Sequence, residues 1–191
     1  FASIDNHLPV WPEPQASDQA NDMDSFRNRI FDEYQTFDEL RLEMTENHRV
    51  RAAQVYGGNS LVWEVVPDED FTMLSYPAVL SPPQTATIHT VVNALEATAL
   101  GAANLTSSAQ SLSVVVSGGG AGAPQITPRV AHFVQSTYAR YTPDPLLLTD
   151  GSFSIPSGES RIIWLLAEST GATPGTYEFT ATVTIGSDVH M

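Results

Sequence analysis

The sequence predicts a mainly β protein: two sheets packed as a sandwich, preceded by an acidic N-terminal extension with a short helix. Three observations carry this. From residue 60 onward, short apolar runs are separated by turn residues such as Pro82-Pro83, Gly118-Gly119-Gly120 and Pro174-Gly175. The last run sets Tyr177, Phe179, Ala181, Val183 and Ile185 against Thr176, Glu178, Thr180, Thr182 and Thr184, a strand with one buried and one wet face. Charge is uneven: residues 1–70 hold fifteen acids and five arginines, residues 71–191 seven acids and three arginines. With the shift from Asp/Glu/Asn/Gln to Thr/Ser/Val/Gly, this places a boundary near Gly57-Gly58. The expected units are 1–58, an acidic arm with a helix and hairpin, and 59–191, the sandwich.

The chain has 191 residues, ample for a hydrophobic core, and 42% are hydrophobic against 16% charged. Its formal net charge of −14 argues against a nucleic-acid binder, whose affinity needs cationic contacts to phosphate. It argues equally against a polybasic membrane-surface module. Cysteine is absent and every basic residue is arginine, so thiolate, disulfide and lysine Schiff-base chemistry are all closed off.

Phe1 in place of methionine suggests a removed leader, most simply an export signal, with a piece of a larger protein as the rival. An extracellular or cell-surface location is the resulting expectation. No run of eighteen apolar residues is present, so no membrane span is expected. Pro9, Pro12 and Pro14 around Trp11 forbid a helix in the first twenty residues, which should run extended. Such an arm packs Ile4, Leu8, Val10 and Trp11 either on its own domain or on a neighbouring subunit.

Asp24 or Ser25 suits a helix N-cap, and Phe26, Ile30, Tyr34 and Phe37 follow on one helical face. Beyond them Leu40, Leu42 and Met44 alternate with Arg41, Glu43 and Thr45 at strand period. The pattern predicts a short helix, then a hairpin turning at residues 46–48 into a strand through Val50. Further strands are expected at 61–66, 72–74, 85–93, 97–105, 112–117, 129–140, 161–167 and 176–185. Ser157-Gly158 reads as a turn, Pro143-Asp144-Pro145 as a loop, and Pro174-Gly175 as a type II turn before the last strand.

The C-terminal third carries a longer pattern. Ile155-Pro156-Ser157-Gly158-Glu159-Ser160-Arg161 leads into Ile163-Trp164-Leu165, then Gly171-Ala172-Thr173-Pro174-Gly175-Thr176-Tyr177. This resembles immunoglobulin-like β-sandwiches of secreted carbohydrate-active proteins, and more narrowly the non-catalytic N-terminal sandwich of family-123-type glycoside hydrolases. Trp63 with Val65 matches how that domain opens, and residues 141–147, with Pro143-Asp144-Pro145-Leu146, match a stretch after its middle strand. Asn93-Ala94-Leu95-Glu96 departs from the family, which has a glutamate where Ala94 stands. The resemblance spans about residues 61–187 and implies an immunoglobulin-like fold with a carbohydrate-associated, accessory role. The family's catalytic carboxylates stand on a barrel after the sandwich, so no catalytic residue is carried over.

No catalytic constellation is read from the residues themselves, and no enzyme activity, cofactor or metal is expected. His7, His48, His89, His132 and His190 make no metal-ligand spacing. Asp18, Asp22 and Asp24, and Asp68-Glu69-Asp70, are hard oxygen donors suited to calcium, but neither follows an EF-hand loop. The glycine run 118–122 lacks the Lys-Ser/Thr of a phosphate loop and reads as a flexible loop. Asn104-Leu105-Thr106 matches the N-glycosylation pattern, which often arises by chance. Trp11, Tyr76 and Tyr141 each stand near prolines in an arm or loop, making them the candidate contacts to a protein partner or glycan.

Two functions follow in order of preference. The first is a non-catalytic extracellular structural or assembly module, such as a filament or surface-layer subunit, acting by self-association or contact with another extracellular protein. An extended arm can complete the edge of another subunit's sheet, although Pro9 and Pro12 limit how it pairs. The alternative is a carbohydrate-associated accessory domain; a small hydrolase ranks last.

Overall fold

In the computed structural model, the described residues are 23–66, 71–77, 87–135, 141–148 and 153–191. Ile4, Leu8, Val10, Trp11 and the clusters at Asp18/Asp22 and Asp68-Glu69-Asp70 lie outside them. The first element is one helix, α1 (Met23–Tyr56), 34 residues without an internal glycine or proline. Tyr56 is its last residue because Gly57 and Gly58 both take left-handed angles (φ 70° and 73°), and the Gly57 N–H donates to the Ala53 carbonyl at 3.0 Å.

The expected hairpin at residues 40–50 is therefore not formed; these residues are helical. Leu40 and Leu42, which produced the alternating pattern, are exposed (48% and 59%). The docked face is carried by small and polar residues instead. Thr45 and Ala52 are buried, and Arg41, His48, Arg49, Ala53 and Tyr56 are half-buried at helical spacing. Tertiary contacts of polar groups decide this segment, against the pattern of its apolar ones.

Among the described residues nine strands follow: β1 (Ser60–Val65), β2 (Leu95–Asn104), β3 (Gln110–Gly118), β4 (Gln125–Gln135), β5 (Tyr141–Leu148), β6 (Phe153–Ile155), β7 (Ser160–Glu168), β8 (Phe179–Ile185) and β9 (Asp188–His190). All pair antiparallel, in a five-stranded sheet ordered β1-β2-β7-β4-β5 and a four-stranded sheet ordered β6-β3-β8-β9. Among the described residues the protein is mainly β with one helix, as expected, but that helix is 34 residues long where a short one was expected. No helix among the described residues is long and apolar enough to cross a membrane.

Some strand expectations are corrected. Residues 72–74 enter a turn, closed by Ser75 N–H to the Thr72 carbonyl at 3.1 Å. Residues 87–93 form no strand, because Ser169 draws the chain round: Asn93 N–H meets its carbonyl and Ala94 N–H its hydroxyl. Pro143 and Pro145 lie inside β5, where an edge position tolerates the missing N–H. Gly175 has no left-handed φ, so no type II turn forms there. Its missing side chain admits the Tyr177 ring, whose hydroxyl would lie 3.3 Å from a Cβ at that position.

The two sheets share one core. Ala102, Val130, Ile163 and Leu165 from the first meet Leu112, Val114, Ile155, Val183 and Ile185 from the second. Burying each of the larger aliphatic side chains stabilises by about 1.5–3 kcal/mol. The outer face of the five-stranded sheet is covered too. Val65, Ala99, Ala131, Phe133 and Ile162 lie under Phe71, with Trp63 packed alongside. Gly101 opposes Trp63 in the register, and a Cβ there would sit 2.3 Å from the indole ring. Next to this layer Leu61, Ala103 and Leu105 receive Ala52, Ala53 and Tyr56 of α1.

Asn104 ties the end of this structure together. Its side chain is fully buried; Nδ2 donates to the carbonyls of Ser108, Ile155 and Pro156 at 2.8, 2.9 and 3.2 Å. Its Oδ1 accepts from the Thr106 N–H and hydroxyl. The acceptor pattern at Asn104 is thus inaccessible in the folded chain. Asn104→Ala should lower the unfolding free energy by about 2–4 kcal/mol, since the buried Ile155 carbonyl and those of Ser108 and Pro156 lose their donor together. Urea denaturation checks this, and Asn104→Asp should be similarly damaging because a carboxylate cannot donate.

Candidate functional site

The chemistry-bearing side chains gather in two places: where α1 meets the turn before β7, and along β1. The first begins with a turn, closed by Glu159 N–H to the Pro156 carbonyl at 3.2 Å, with Gly158 left-handed (φ 71°). This is the turn expected at Ser157-Gly158. Gly158 is pressed against α1: a Cβ there would lie 2.9 Å from the Thr45 carbonyl oxygen and 3.0 Å from Arg49 Cβ. Backbone proximity and handedness both require glycine here.

Glu159, 8% exposed, then stands between two guanidinium groups. Arg161 donates to its Oε2 at 2.9 Å and Arg41 of α1 lies 3.5 Å from its Oε1. Arg161 is buried as well, donates to the Ser160 carbonyl, and lies over the Phe133 ring at 5.4 Å. Arg49 forks onto Glu46 of its own helix and reaches across to the Leu105 carbonyl at 3.0 Å. The Arg49 hydrogen bonds hold the Glu46 carboxyl below its ordinary pKa and, reciprocally, raise that of the arginine. This assembly is a clamp between helix and sheet.

Tyr76, a predicted contact residue, belongs to the same clamp. Its ring stacks with His48 and Tyr56, and its hydroxyl donates to the Gly158 carbonyl at 2.7 Å. Tyr56 in turn donates to the Pro77 carbonyl. Burial pushes the Tyr76 phenol up to about 12, with the Arg49 charge pulling the other way. Of the other predicted contacts, Tyr141 opens β5, with only its backbone described, and Trp11 lies outside the described residues.

The second place is β1. It is an edge of the five-stranded sheet, and among the described residues nothing pairs with its outer side. The Leu105 N–H donates to the Asn59 carbonyl at 2.8 Å. In the register Ser60↔Asn104 to Val65↔Ala99, hydrogen-bonded pairs therefore fall at Leu61, Trp63 and Val65. Ser60, Val62 and Glu64 consequently aim their N–H and C=O groups away from the sheet. Beside them an open cleft runs between the sheets. It is lined by half-buried apolar side chains from both: Val62, Leu100 and Ile126 from one, Val116, Phe179 and Ala181 from the other.

Polar contacts of Ser60 join the sheets at this side. The Ser60 hydroxyl lies 2.8 Å from Asp188 Oδ2 and 2.8 Å from His190 Nε2 of β9. In a hydrolytic triad the histidine stands between acid and serine. Here the serine stands between the other two, is itself buried, and serves as a strap. Among the described residues no group of three histidine, aspartate or glutamate side chains is placed to hold a metal ion. Glu159 and Arg161 entered the sequence reading only within the motif at residues 155–161, and Ser60 and the edge residues Val62 and Glu64 were not singled out. The only signal for an edge lay in Pro143 and Pro145, which mark the opposite one.

No protein-family model matches the chain, and no curated protein matches it. Among solved structures, a family 123 glycoside hydrolase from Clostridium perfringens, described for glycolipid glycan hydrolysis, is a weak neighbour. It is 14% identical with a TM-score of 0.42, over 52% of this chain and 20% of that one. The chain thus spans about a fifth of that enzyme, and a likeness of this size carries neither family membership nor activity to it.

The Tyr76 environment gives a measurable outcome. A phenol whose folded pKa lies above its unfolded value, about 10, contributes stability that is full below pH ~10 and lost as pH rises through 12. Ultraviolet titration of the folded chain should show a tyrosine ionising near pH 12 that disappears in Tyr76→Phe. Ionisation of every tyrosine near pH 10 would contradict the packing described.

Proposed function

We propose that this chain is a non-catalytic assembly module of an extracellular structure, working through protein–protein contact at the β1 edge and its adjoining cleft. The observation that supports this is how differently the four sheet edges are guarded. β6 and β9 are three residues long, and β5 carries Pro143 and Pro145. Short strands and prolines are standard protections against unwanted pairing. β1 has neither; its six residues, Ser-Leu-Val-Trp-Glu-Val, favour strand pairing and include one charge. An unguarded edge next to an apolar cleft is a surface suited to receiving a strand.

A carbohydrate-associated accessory domain is the second reading. It is supported by the sequence motifs, of which the turn at residues 156–159 is formed. Glycan-array binding by the whole chain, lost in Tyr141→Ala, would favour it over assembly.

The assembly reading is tested at Glu64. Its side chain is exposed and its N–H faces away from β2, so Glu64→Pro removes one outward donor and no ladder bond. Sedimentation velocity across a concentration series should show association of the parent chain, weakened about fivefold or more in Glu64→Pro. A parent chain that stays monomeric throughout the series would contradict the proposal.

A further inference from the structure

We infer that the β1 edge receives residues 4–11 of a second copy of this chain, added antiparallel to β1, with Ile4, Leu8 and Val10 entering the cleft. The inference rests on the assembly reading and adds the occupant, its direction and its facing.

The facing follows from β1. Its outward-bonding residues, Ser60, Val62 and Glu64, share one face of the strand, and Val62 packs on the inter-sheet core. In an antiparallel pair, residues that exchange hydrogen bonds put their side chains on the same face. A donor residue bonded to this edge therefore points into the cleft. Parallel addition would put it on the opposite face.

The arm sequence fits one of its two possible settings. Pro9 has no N–H, so it must occupy a position turned away from β1, together with Asp5, His7 and Trp11. The residues turned toward β1 are then Ile4, Asn6, Leu8 and Val10. The setting that accommodates Pro9 is thus the one that delivers the three aliphatic side chains to the apolar cleft and leaves the charge of Asp5 outside. Pro12, on the bonding side, ends the pairing.

Chain geometry favours a neighbouring copy as the source. Helix α1 spans about 50 Å from Met23 to Tyr56. The twelve residues from Trp11 to Met23 reach at most about 43 Å. Leu61 packs beside Ala52, Ala53 and Tyr56, about 44–50 Å along the helix from Met23, so the same chain's Trp11 meets that level at full extension or not at all. A second copy has no such restriction, and head-to-tail addition repeated from copy to copy gives an open chain of subunits.

Because the protein contains no cysteine, disulfide trapping of the full chain is clean. Cysteine replaces Val62 in one preparation and, singly, Ile4, Asp5, Asn6, His7, Leu8 or Val10 in a second carrying a short size tag. Mixed under mild oxidation, the two should give tagged–untagged disulfide dimers from one or two of positions 4, 6, 8 and 10, about tenfold over positions 5 and 7. Near-UV circular dichroism of each variant verifies folding. Equal trapping at odd and even positions, or none anywhere, overturns the inference. If trapping fails while association persists and responds to Glu64→Pro, the edge acts in assembly with another occupant. If association is absent as well, both readings fall.

Discussion

Glu159 sits with almost no access to water between Arg161 of its own sheet and Arg41 of the helix, at a turn where every layer of the molecule meets. A buried carboxylate is costly unless paired and hydrogen-bonded, so its partners are fixed in number and direction. The turn that carries it is held from two further sides. Asn104 takes up the carbonyls of Ile155 and Pro156, and Tyr76 that of Gly158. With Gly158 touching the Thr45 carbonyl, α1 has one seat, defined by polar geometry as much as by apolar area. Removing a single partner here strands the others without water, which makes the clamp cooperative.

That seat has consequences along the chain. The helix is fastened through its C-terminal half, at Arg41, Thr45, Arg49 and Ala52, while residues 35, 36, 39, 40 and 42 are exposed. It hands over through Gly57-Gly58 to β1, whose Leu61 packs under Ala52. The outer face of β1 is then covered, its inner face looks into the cleft, and among the described residues nothing bonds its outward N–H groups. The clamp and the open edge are two results of one arrangement: the sequence spent on seating α1 covers the sheet face and does nothing for the edge.

How much was legible in the sequence varies with the range of the interactions. Local apolar patterns such as 61–66, apolar except for Glu64, and 176–185, which alternates, appear as β1 and β8 within a few residues. The turn at Ser157-Gly158 is local chemistry and was readable as such. The segment 40–50 was not, because Leu40 and Leu42 give a strand-like alternation while facing solvent. What holds that segment as a docked helix is Arg41 to Glu159 and Arg49 to Leu105, pairs far apart in the chain. Residues 85–93 look like a strand by composition, but at 91–94 the chain turns around Ser169, which no local pattern announces. The open edge was least legible, since it depends on the strand order β1-β2-β7-β4-β5 and that order is a property of the whole sheet.

The directions of five amides in β1 decide whether this edge is open. Hydrogen exchange resolved to single residues, on the dilute chain and then at rising concentration, reads them directly. In the dilute chain Leu61, Trp63 and Val65 should be protected by β2 while Val62 and Glu64 exchange freely; at high concentration Val62 and Glu64 should slow selectively. Protection of Val62 and Glu64 already in the dilute monomer would contradict the account, because the edge would then be closed within one chain.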